Sequence, residues 1–446
     1  MAIERATKQE LSEFIRATGA SVVPRISVII PVFNMAQYLR KCLESVLAQS
    51  LLDIEIICIN DGSTDKSVEI IKQYCIQDKR IVFIDQKNQG VAHARNNGIK
   101  TAKGEFVCFM DSDDFYPDVD VLADLYRAAK ENMVKVCGGS FSYYIEDTNE
   151  MKIAFDDNRL WGYTFNEDRL WNYKDYQYDY GYTRFIYDRE MLINAELFFP
   201  PYIRYEDPPF FVKVMITAGW FYALRRITYR YRVAYKEIKW DSSKIVSTLN
   251  GVIDNLVISK ENGLNDLHAL TLRRLEWIYS FIESEIAGEQ SAEIIDLLFG
   301  INKVLDENMI LQSRFPDADP KTAQKRIAAS ISKLNYFEQM LLFVRKAEVK
   351  NKKIVIWGAG QNGIRTLELF KHYDVKIHAF LDSSPDKTGT SLKGLSIFPP
   401  EILNKNPLWS HTHCAVFIAS TAHTQIAQQL ETAGWHEGKN FWRILE

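Results

Sequence analysis

Residues 106–114 have the sequence FVCFMDSDD, in which five apolar residues are followed by three aspartates within four positions. The apolar run has the length and composition of a short buried strand, so the carboxylates lie where that strand ends. Asp111, Asp113 and Asp114 supply hard oxygen ligands, which Mg²⁺ or Mn²⁺ binds together with the phosphate oxygens of a ligand. The alternative is an acidic loop that caps the next helix, and this stretch alone leaves both interpretations open.

Three strand–helix units precede this stretch. Apolar runs at 26–30, 54–59 and 81–84 are each followed by apolar residues at helical spacing. This alternation predicts an α/β fold with a mostly parallel, doubly wound sheet. Ligands of such sheets bind beyond the carboxyl ends of the strands. The residues at or just after those ends include Pro31, Val32, Asn34, Asp61, Asn88, Gly90 and the aspartate cluster. Helix capping explains one polar residue in a loop, but not acids and amides at every strand end.

The composition indicates a globular protein and argues against a nucleic-acid binder. The chain has 446 residues, 47% hydrophobic and 25% charged, which is typical of a globular protein with two or three domains. A net charge of −4 argues against a dedicated nucleic-acid binder. The six cysteines form no C-x-x-C pair, which favours buried free thiols in a reducing compartment.

The sequence predicts neither a signal peptide nor a membrane span. The first 20 residues lack the apolar core of a signal peptide, and no run approaches the roughly 18 apolar residues of a membrane span. We therefore expect a cytoplasmic protein. Residues 336–353 mix apolar and basic side chains, which leaves open a peripheral contact with a membrane surface.

The periodicity predicts four parts: an N-terminal helical extension (1–23), an α/β domain (24–240), a helical region (241–345) with a break at 315–320, and a second α/β domain (346–446). Residues 140–235 are rich in aromatic side chains, among them Trp161 and Trp171, which suit either sugar stacking or core packing. Glu206 and Asp207 precede a helical run, where acids also simply offset the helix dipole.

The second α/β domain opens with a glycine motif. The strand at 354–357 is followed by GAGQNG (358–363), and Asp382 lies 22 residues beyond Gly360, after the strand at 377–381. Gly358, Gly360, Gly363 and Asp382 fit the G-x-G-x-x-G dinucleotide pattern in its proper context, which predicts a small Rossmann-like domain and a possible second nucleotide site. About 100 residues make only half of a full dinucleotide domain, so a structural or regulatory module is the alternative.

Five motifs occur in order in the first α/β domain: SVIIPVFN (27–34), NDGSTD (60–65), NQG with ARNNG (88–98), DSDD (111–114) and Glu206-Asp207. Together they resemble the family-two inverting glycosyltransferases, over about residues 24–235. The resemblance implies the GT-A nucleotide-diphospho-sugar transferase fold, followed here by the helical region and the Rossmann-like domain.

The resemblance also implies roles for individual residues. Donor-binding residues are Pro31, Val32, Asn34, Asp61, Asn88, Gly90, Arg95, Asp111, Ser112 and Asp113. Among them, Pro31 and its neighbours line the base pocket, Asp61 accepts hydrogen bonds from the base, usually uracil, and Arg95 lies toward the nucleotide. Asp111 and Asp113 hold the metal, with Asp114 as a rival ligand. Asp207 is the catalytic base, with Glu206 beside it.

The resemblance implies transfer of a sugar from a UDP-sugar to a hydroxyl of a glycan or lipid-linked acceptor, with Mn²⁺ or Mg²⁺ as the metal. The implied setting is bacterial surface polysaccharide synthesis. A homo-oligomer is left open. Two departures are Pro208-Pro209 after the acidic pair, where larger apolar residues are usual, and the lack of a Gln-x-x-Arg-Trp motif, which indicates a non-processive enzyme.

Two other classes of enzyme are alternatives. A nucleotidyltransferase would need a glycine-rich, basic phosphate loop, which residues 27–34 lack. An oxidoreductase built around Gly358–Gly363 would need a second half-domain and a catalytic Tyr-Lys or His group, which the sequence does not place.

Overall fold

The computed structural model describes residues 23–146, 150–153, 164–233, 239–285, 291–315, 339–345, 347 and 351–444. The chain divides into two compact units. The first comprises 1–239, 250–271 and 306–315, and the second comprises 240–249, 272–305 and 316–446. The expected N-terminal extension, apart from its last residue, together with Trp161, the break at 316–320 and part of 336–353, lies outside the described residues.

The first unit is built on a nine-stranded sheet. Its strands are β1 (Ile26–Val32), β2 (Ile54–Asp61), β3 (Ile81–Gln86), β4 (Phe106–Phe109), β5 (Val136–Ile145), β6 (Glu150–Ile153), β7 (Arg169–Asn172), β8 (Phe185–Asp188) and β9 (Trp220–Val233). Their order is β3-β2-β1-β4-β8-β5-β9-β7, with β6 paired to β5. The first four strands in this order are parallel, whereas β8 is antiparallel to β4. The predicted α/β fold is confirmed, and the carboxyl ends of β1, β2 and β4 meet at one edge.

Helices cover both faces of this sheet. They are α1 (Leu39–Leu47), α2 (Ser67–Gln77), α3 (Val91–Thr101), α4 (Val121–Glu131), α5 (Tyr173–Tyr176), α6 (Arg189–Asn194) and α7 (Asp207–Ala218). Alternate β1 residues point to opposite faces, as the strand period requires. Val28 and Ile30 pack in the core with Leu39, whereas Ile29 packs with Ile99 of α3. A Cβ at Gly98 would lie 2.4 Å from Ile29, so this glycine lets α3 approach β1 closely.

The following region is helical, as predicted, wherever the structure describes it. It contains α8 (Ser242–Asn262), α9 (Asn265–Glu285), α10 (Ser291–Val304) and α11 (Glu307–Leu311). Among the helices described, none combines the length and apolar character needed to cross a membrane.

The second unit contains a six-stranded sheet. Its strands are β10 (Lys353–Trp357), β11 (Ile377–Leu381), β12 (Ser391–Leu392), β13 (Leu395–Phe398), β14 (Cys414–Ile418) and β15 (Phe441–Arg443), and its helices are α12 (Gln361–His372), α13 (Ile402–Lys405) and α14 (His423–Thr432). The order is β12-β13-β11-β10-β14-β15, parallel except for the β12–β13 pair. β10, the first strand of this unit, thus lies inside the sheet. The strands β11 to β13 lie on one side of it, and β14 and β15 lie on the other.

All six cysteines are free, and five of them are buried. Burial raises the pKa of Cys108 to about 12 and that of Cys414 to about 11. Because the thiolate is the reactive form, these sulfurs are poor nucleophiles. The prediction of buried free thiols is confirmed for all but Cys75, which is partly exposed.

Candidate active site

The aspartate cluster follows β4, and its three carboxylates occupy different environments. Asp111 and Asp113 are partly exposed, whereas Ser112 and Asp114 are buried. The side chain of Asp111 retains 28% of its exposure. The first two aspartates are therefore the ones that a ligand beyond the strand end can reach.

Asp114 is held by the protein itself. Its carboxylate accepts hydrogen bonds from the Tyr229 hydroxyl and from the backbone N–H of Arg232, both at 2.7 Å. Burial, followed by the charges of Asp113 and Asp111, raises the pKa of Asp114 well above its usual range. The Arg232 guanidinium also donates to the backbone carbonyl of Asp113 at 2.6 Å. These contacts from β9 fix the turn that presents Asp111 and Asp113, while ligation by Asp114 stays a prediction.

Arg95 joins the aspartate cluster to the acidic pair. This arginine on α3 is 5% exposed, and its two terminal nitrogens donate to Asp111 at 2.8 Å and to Glu206 at 2.6 Å. The rings of Tyr182 and Phe199 lie 5.0 and 5.2 Å from the guanidinium carbon. A buried guanidinium is stable only when it is paired with anions, and Asp111 and Glu206 are those anions. Because Asp111 follows β4 and Glu206 precedes α7, Arg95 holds the end of β4 next to the start of α7.

Asp207 is the first residue of α7 and is partly exposed. The N-terminus of a helix carries partial positive charge, which stabilises a carboxylate there. Pro208 and Pro209 occupy the first helical turn, where the missing N–H of proline costs no hydrogen bond. The departure from the family pattern at these two positions is thus compatible with the helix.

The end of β1 is tied to the loop after β2. Asn34 has a left-handed backbone (φ 54°), and its side chain accepts a hydrogen bond from the Thr64 N–H at 2.7 Å. Its own N–H donates to the Ser63 hydroxyl at 3.0 Å. Pro31 and Val32 are buried, and Val32 belongs to the core.

Asp61 at the end of β2 organises the loop after β3. This carboxylate is 3% exposed and accepts hydrogen bonds from the Gln86 side chain at 2.8 Å and from the N–H groups of Gln89 and Gly90, both at 2.9 Å. Gly90 has φ 91°, a conformation that favours glycine. A Cβ at Gly62 would lie 2.8 Å from the backbone nitrogen of Asn88. The predicted donor-binding residues of β1, β2 and β3 therefore form one connected rim.

Residues 27–198 match Glycosyl transferase family 2. The first α/β domain belongs to glycosyltransferase family 2. It is 33% identical over 191 residues to the "Uncharacterized glycosyltransferase EpsJ" of Bacillus subtilis (strain 168), which covers 42% of this chain and 55% of that protein. It is 42% identical over 122 residues to "Glycosyltransferase GlyA" of Streptococcus pneumoniae serotype 4, covering 27% of this chain and 17% of that protein. The chain thus spans about half of EpsJ, and a smaller share of GlyA.

A solved structure shares the fold of the family 2 domain. The S. aureus TarS 1–349 structure in complex with UDP-GlcNAc superimposes with a TM-score of 0.52 and 19% identity, over 71% of this chain and 90% of that chain. The predicted GT-A fold is confirmed.

The carboxylates of the family 2 domain fit a divalent cation bound together with a ligand. In the part of the chain that the structure describes, no three His, Cys, Asp or Glu side chains form a ready-made metal site. Two partly exposed carboxylates, Asp111 and Asp113, suffice for Mg²⁺ or Mn²⁺ when phosphate oxygens and water complete the shell. The charges of Asp113 and Asp111 contribute to the raised pKa of Asp114, so a bound cation would offset the repulsion between these carboxylates.

The second unit matches a different family: residues 350–441 match "C2185-like, N-terminal". Close packing explains two glycines of its motif, since a Cβ at Gly363 would lie 1.8 Å from the Gly358 carbonyl oxygen, and Gly358 has φ 125°. A Cβ at Gly360 would meet no atom within 4 Å, so packing does not explain that glycine. Asp382 accepts hydrogen bonds from the N–H groups of Ala359 at 2.8 Å and Ser384 at 2.9 Å. The structure shows a small α/β domain, and the matched family does not identify it specifically as Rossmann-like. A nucleotide site at Gly358, Gly360, Gly363 and Asp382 stays a prediction.

Sequence reasoning missed the contribution of β9 to the family 2 domain. Tyr229 and Arg232 lie 115 and 118 residues from Asp114, and no local motif marks them. The only signal is two arginines at alternate positions, 230 and 232, in an aromatic strand. Four tyrosines of the aromatic stretch, Tyr173, Tyr176, Tyr182 and Tyr187, are at most 5% exposed, which favours core packing over sugar stacking.

Proposed function

We propose that this protein is a metal-dependent, inverting glycosyltransferase that transfers a sugar from a UDP-sugar to a hydroxyl of a glycan or lipid-linked acceptor. The observation that carries the proposal is the Arg95 bridge, which joins Asp111 at the donor side to Glu206, the neighbour of Asp207. The match of residues 27–198 to glycosyltransferase family 2 supports it.

On the donor side, Asp111 and Asp113 would hold Mg²⁺ or Mn²⁺. When bound, the cation neutralises the charge of the departing diphosphate. Arg232 and Tyr229 keep the two aspartates in place through the backbone of Asp113 and the carboxylate of Asp114. The rim formed by Asp61 and the loop 86–90 borders the space for the nucleoside.

On the acceptor side, Asp207 takes the proton from the attacking hydroxyl. Glu206 is less suited to this role because its carboxylate is paired with the buried Arg95 at 2.6 Å. Direct attack by the acceptor on the sugar carbon, with one base and no enzyme nucleophile, inverts the anomeric centre.

Relatives support the donor and the setting. The TarS structure contains UDP-GlcNAc, a uridine nucleotide donor. The E. coli protein "Chondroitin synthase" is 36% identical over 117 residues, covering 26% of this chain and 17% of that protein. We propose that the product is part of a bacterial surface polysaccharide.

The test is a donor screen. The full-length protein is incubated in Mn²⁺ with uridine, guanosine and cytidine diphosphate sugars, and release of the free nucleoside diphosphate is measured. We expect release from a UDP-sugar. No release from any nucleotide-sugar, with or without glycan acceptors, would contradict glycosyl transfer.

The base preference has a separate measurement. Calorimetry with UDP, GDP and CDP in Mn²⁺ should give the tightest binding for UDP, because Asp61 and its loop border the base. Tightest binding of GDP would refute a uridine donor while leaving sugar transfer itself intact.

A further inference from the structure

We infer that helix α8, which lies beyond the residues matched to glycosyltransferase family 2, positions the catalytic base Asp207. Gly251 and Asp254 on this helix hold the segment 202–207, termed here the acceptor loop. The inference rests on the proposed function, in which Asp207 deprotonates the acceptor.

The first contact is a close approach between Gly251 and the acceptor loop. A Cβ built on Gly251 would lie 2.6 Å from the Tyr205 ring and 2.8 Å from the Tyr205 carbonyl oxygen. Real Cβ atoms do not approach backbone oxygen so closely. Alanine is a better helix former than glycine, so the glycine within α8 is explained by this contact and not by helix propensity.

The second contact is a hydrogen bond one turn along the same helix. The Tyr202 hydroxyl donates to the Asp254 carboxylate at 3.0 Å. Burial, followed by the Asp254 charge, raises the pKa of Tyr202 well above its usual value, so the hydroxyl keeps its proton. These two contacts hold Tyr202 and Tyr205, the two ends of the segment that precedes Glu206 and Asp207.

The backbone of Tyr205 shows why the acceptor loop needs this support. Tyr205 has φ 66°, a left-handed conformation that is costly for a bulky residue. Its hydroxyl lies 3.3 Å from the carboxylate of Asp179, which is fully buried. Such a conformation persists only where the surroundings fix it, and here they are Gly251 on one side and Asp179 on the other.

The acceptor loop ends at the proposed catalytic base. Tyr205 is followed by Glu206, which binds Arg95, and by Asp207, the first residue of α7. A shift of Tyr205 therefore moves both carboxylates. It does not move the rim at Asp61 or the loop 86–90, which are held by their own hydrogen bonds. Gly251 and Asp254 are thus positioning residues for the acceptor side.

The experiment compares Gly251→Ala, Asp254→Leu and Asp254→Asn in the full-length protein, with the exposed Glu261→Ala on the same helix as control. The rate of UDP release is measured with the UDP-sugar that the wild type hydrolyses fastest, and UDP affinity is measured by calorimetry. We expect Gly251→Ala and Asp254→Leu to lower kcat about 10-fold or more, since a misplacement of about 1 Å can cost about 10²-fold. UDP affinity should stay within about twofold of the wild type, a separation that general destabilisation does not produce.

Asp254→Asn keeps an oxygen that accepts from Tyr202 and should restore most of the lost rate. Tyr202→Phe removes a single hydroxyl and serves as the second variant if Asp254→Leu does not fold. Wild-type kcat in folded Gly251→Ala and Tyr202→Phe would overturn the inference, as would equal loss of UDP affinity and kcat. A wild-type protein without nucleotide-sugar turnover would instead refute the proposed function, and the inference with it.

Discussion

Two adjacent carboxylates, Glu206 and Asp207, differ in burial, and this difference supports different proposed roles for them. Glu206 is 7% exposed and bound to Arg95, so its charge is committed to an ion pair. Asp207 is partly exposed at the positive end of α7. In the proposed mechanism, Asp207 is therefore the carboxylate that meets the acceptor.

We predict that Asp207→Asn lowers the rate of sugar transfer by about 10²-fold or more, because the amide keeps the shape but cannot take a proton. UDP affinity should be unchanged. Steady-state kinetics and calorimetry check both statements. A variant with weakened UDP binding and an unchanged turnover number would mean that Asp207 serves the donor.

At the donor side, we predict that Asp113→Ala abolishes nearly all turnover and weakens UDP binding in Mn²⁺, because one of two reachable carboxylates is lost. Asp118→Ala is the matched control, since Asp118 lies in the same loop region but pairs with Arg226 at the surface. Excess chelator should abolish the wild-type activity as well. Full activity in chelator would rule out the metal requirement.

At the scale of elements, His268 joins three helices of the first unit. Its Nδ1 lies 2.7 Å from the Ser259 hydroxyl on α8, and its Nε2 accepts from the N–H of Asp306, which precedes α11. Because Nε2 is an acceptor, the neutral imidazole is required. Burial lowers the pKa of His268 from 6.5 to about 4.

This contact predicts acid sensitivity. The unfolded state takes up a proton near pH 6.5 and the folded state only near pH 4, so stability is complete above pH 6.5 and decreases as the pH falls toward 4. Between pH 7 and pH 5 the loss from His268 is about 2 kcal/mol. Urea unfolding of the wild type and of His268→Asn at both pH values measures it. Equal pH dependence in the two proteins would contradict the prediction.

The sequence predicts those strands and loops that are marked by a pattern within a few neighbouring residues. β1 to β4 and their loops follow from apolar runs that end in acids, amides and glycines, and these strands extend at most two residues beyond the prediction. The other half of the sheet was not predictable in this way, because β5 pairs with β9 some 85 residues later along the chain. The support from α8 rests on Gly251, which faces Tyr205, and on Asp254, which accepts a hydrogen bond from Tyr202. No sequence pattern marks either contact.

At the scale of the whole molecule, the proposed donor and acceptor residues all belong to the first unit. We predict that a chain ending at Arg345, without the second sheet, still releases UDP from a UDP-sugar. Its thermal midpoint should fall, because Ile295 and Phe343 share a core with Ile354 and Ile356 of β10 and lose that cover.

Gly363→Val in the full-length protein is the companion variant, since its side chain would collide with the Gly358 carbonyl and disrupt the second sheet without shortening the chain. Nucleotide release by both proteins is compared with that of the wild type. A truncated protein that is folded and soluble but inactive would show that the second unit helps to build the active site.

The burial of the thiols has a practical consequence for labelling experiments that follow the proposed reaction. Five of the six native sulfurs are shielded, and burial also raises the pKa of the sixth, Cys75. A cysteine introduced at Ile203, which is 64% exposed in the acceptor loop, would therefore take up a maleimide fluorophore well ahead of the native thiols. The dye would sit four residues from Asp207, where its emission could report acceptor arrival in real time.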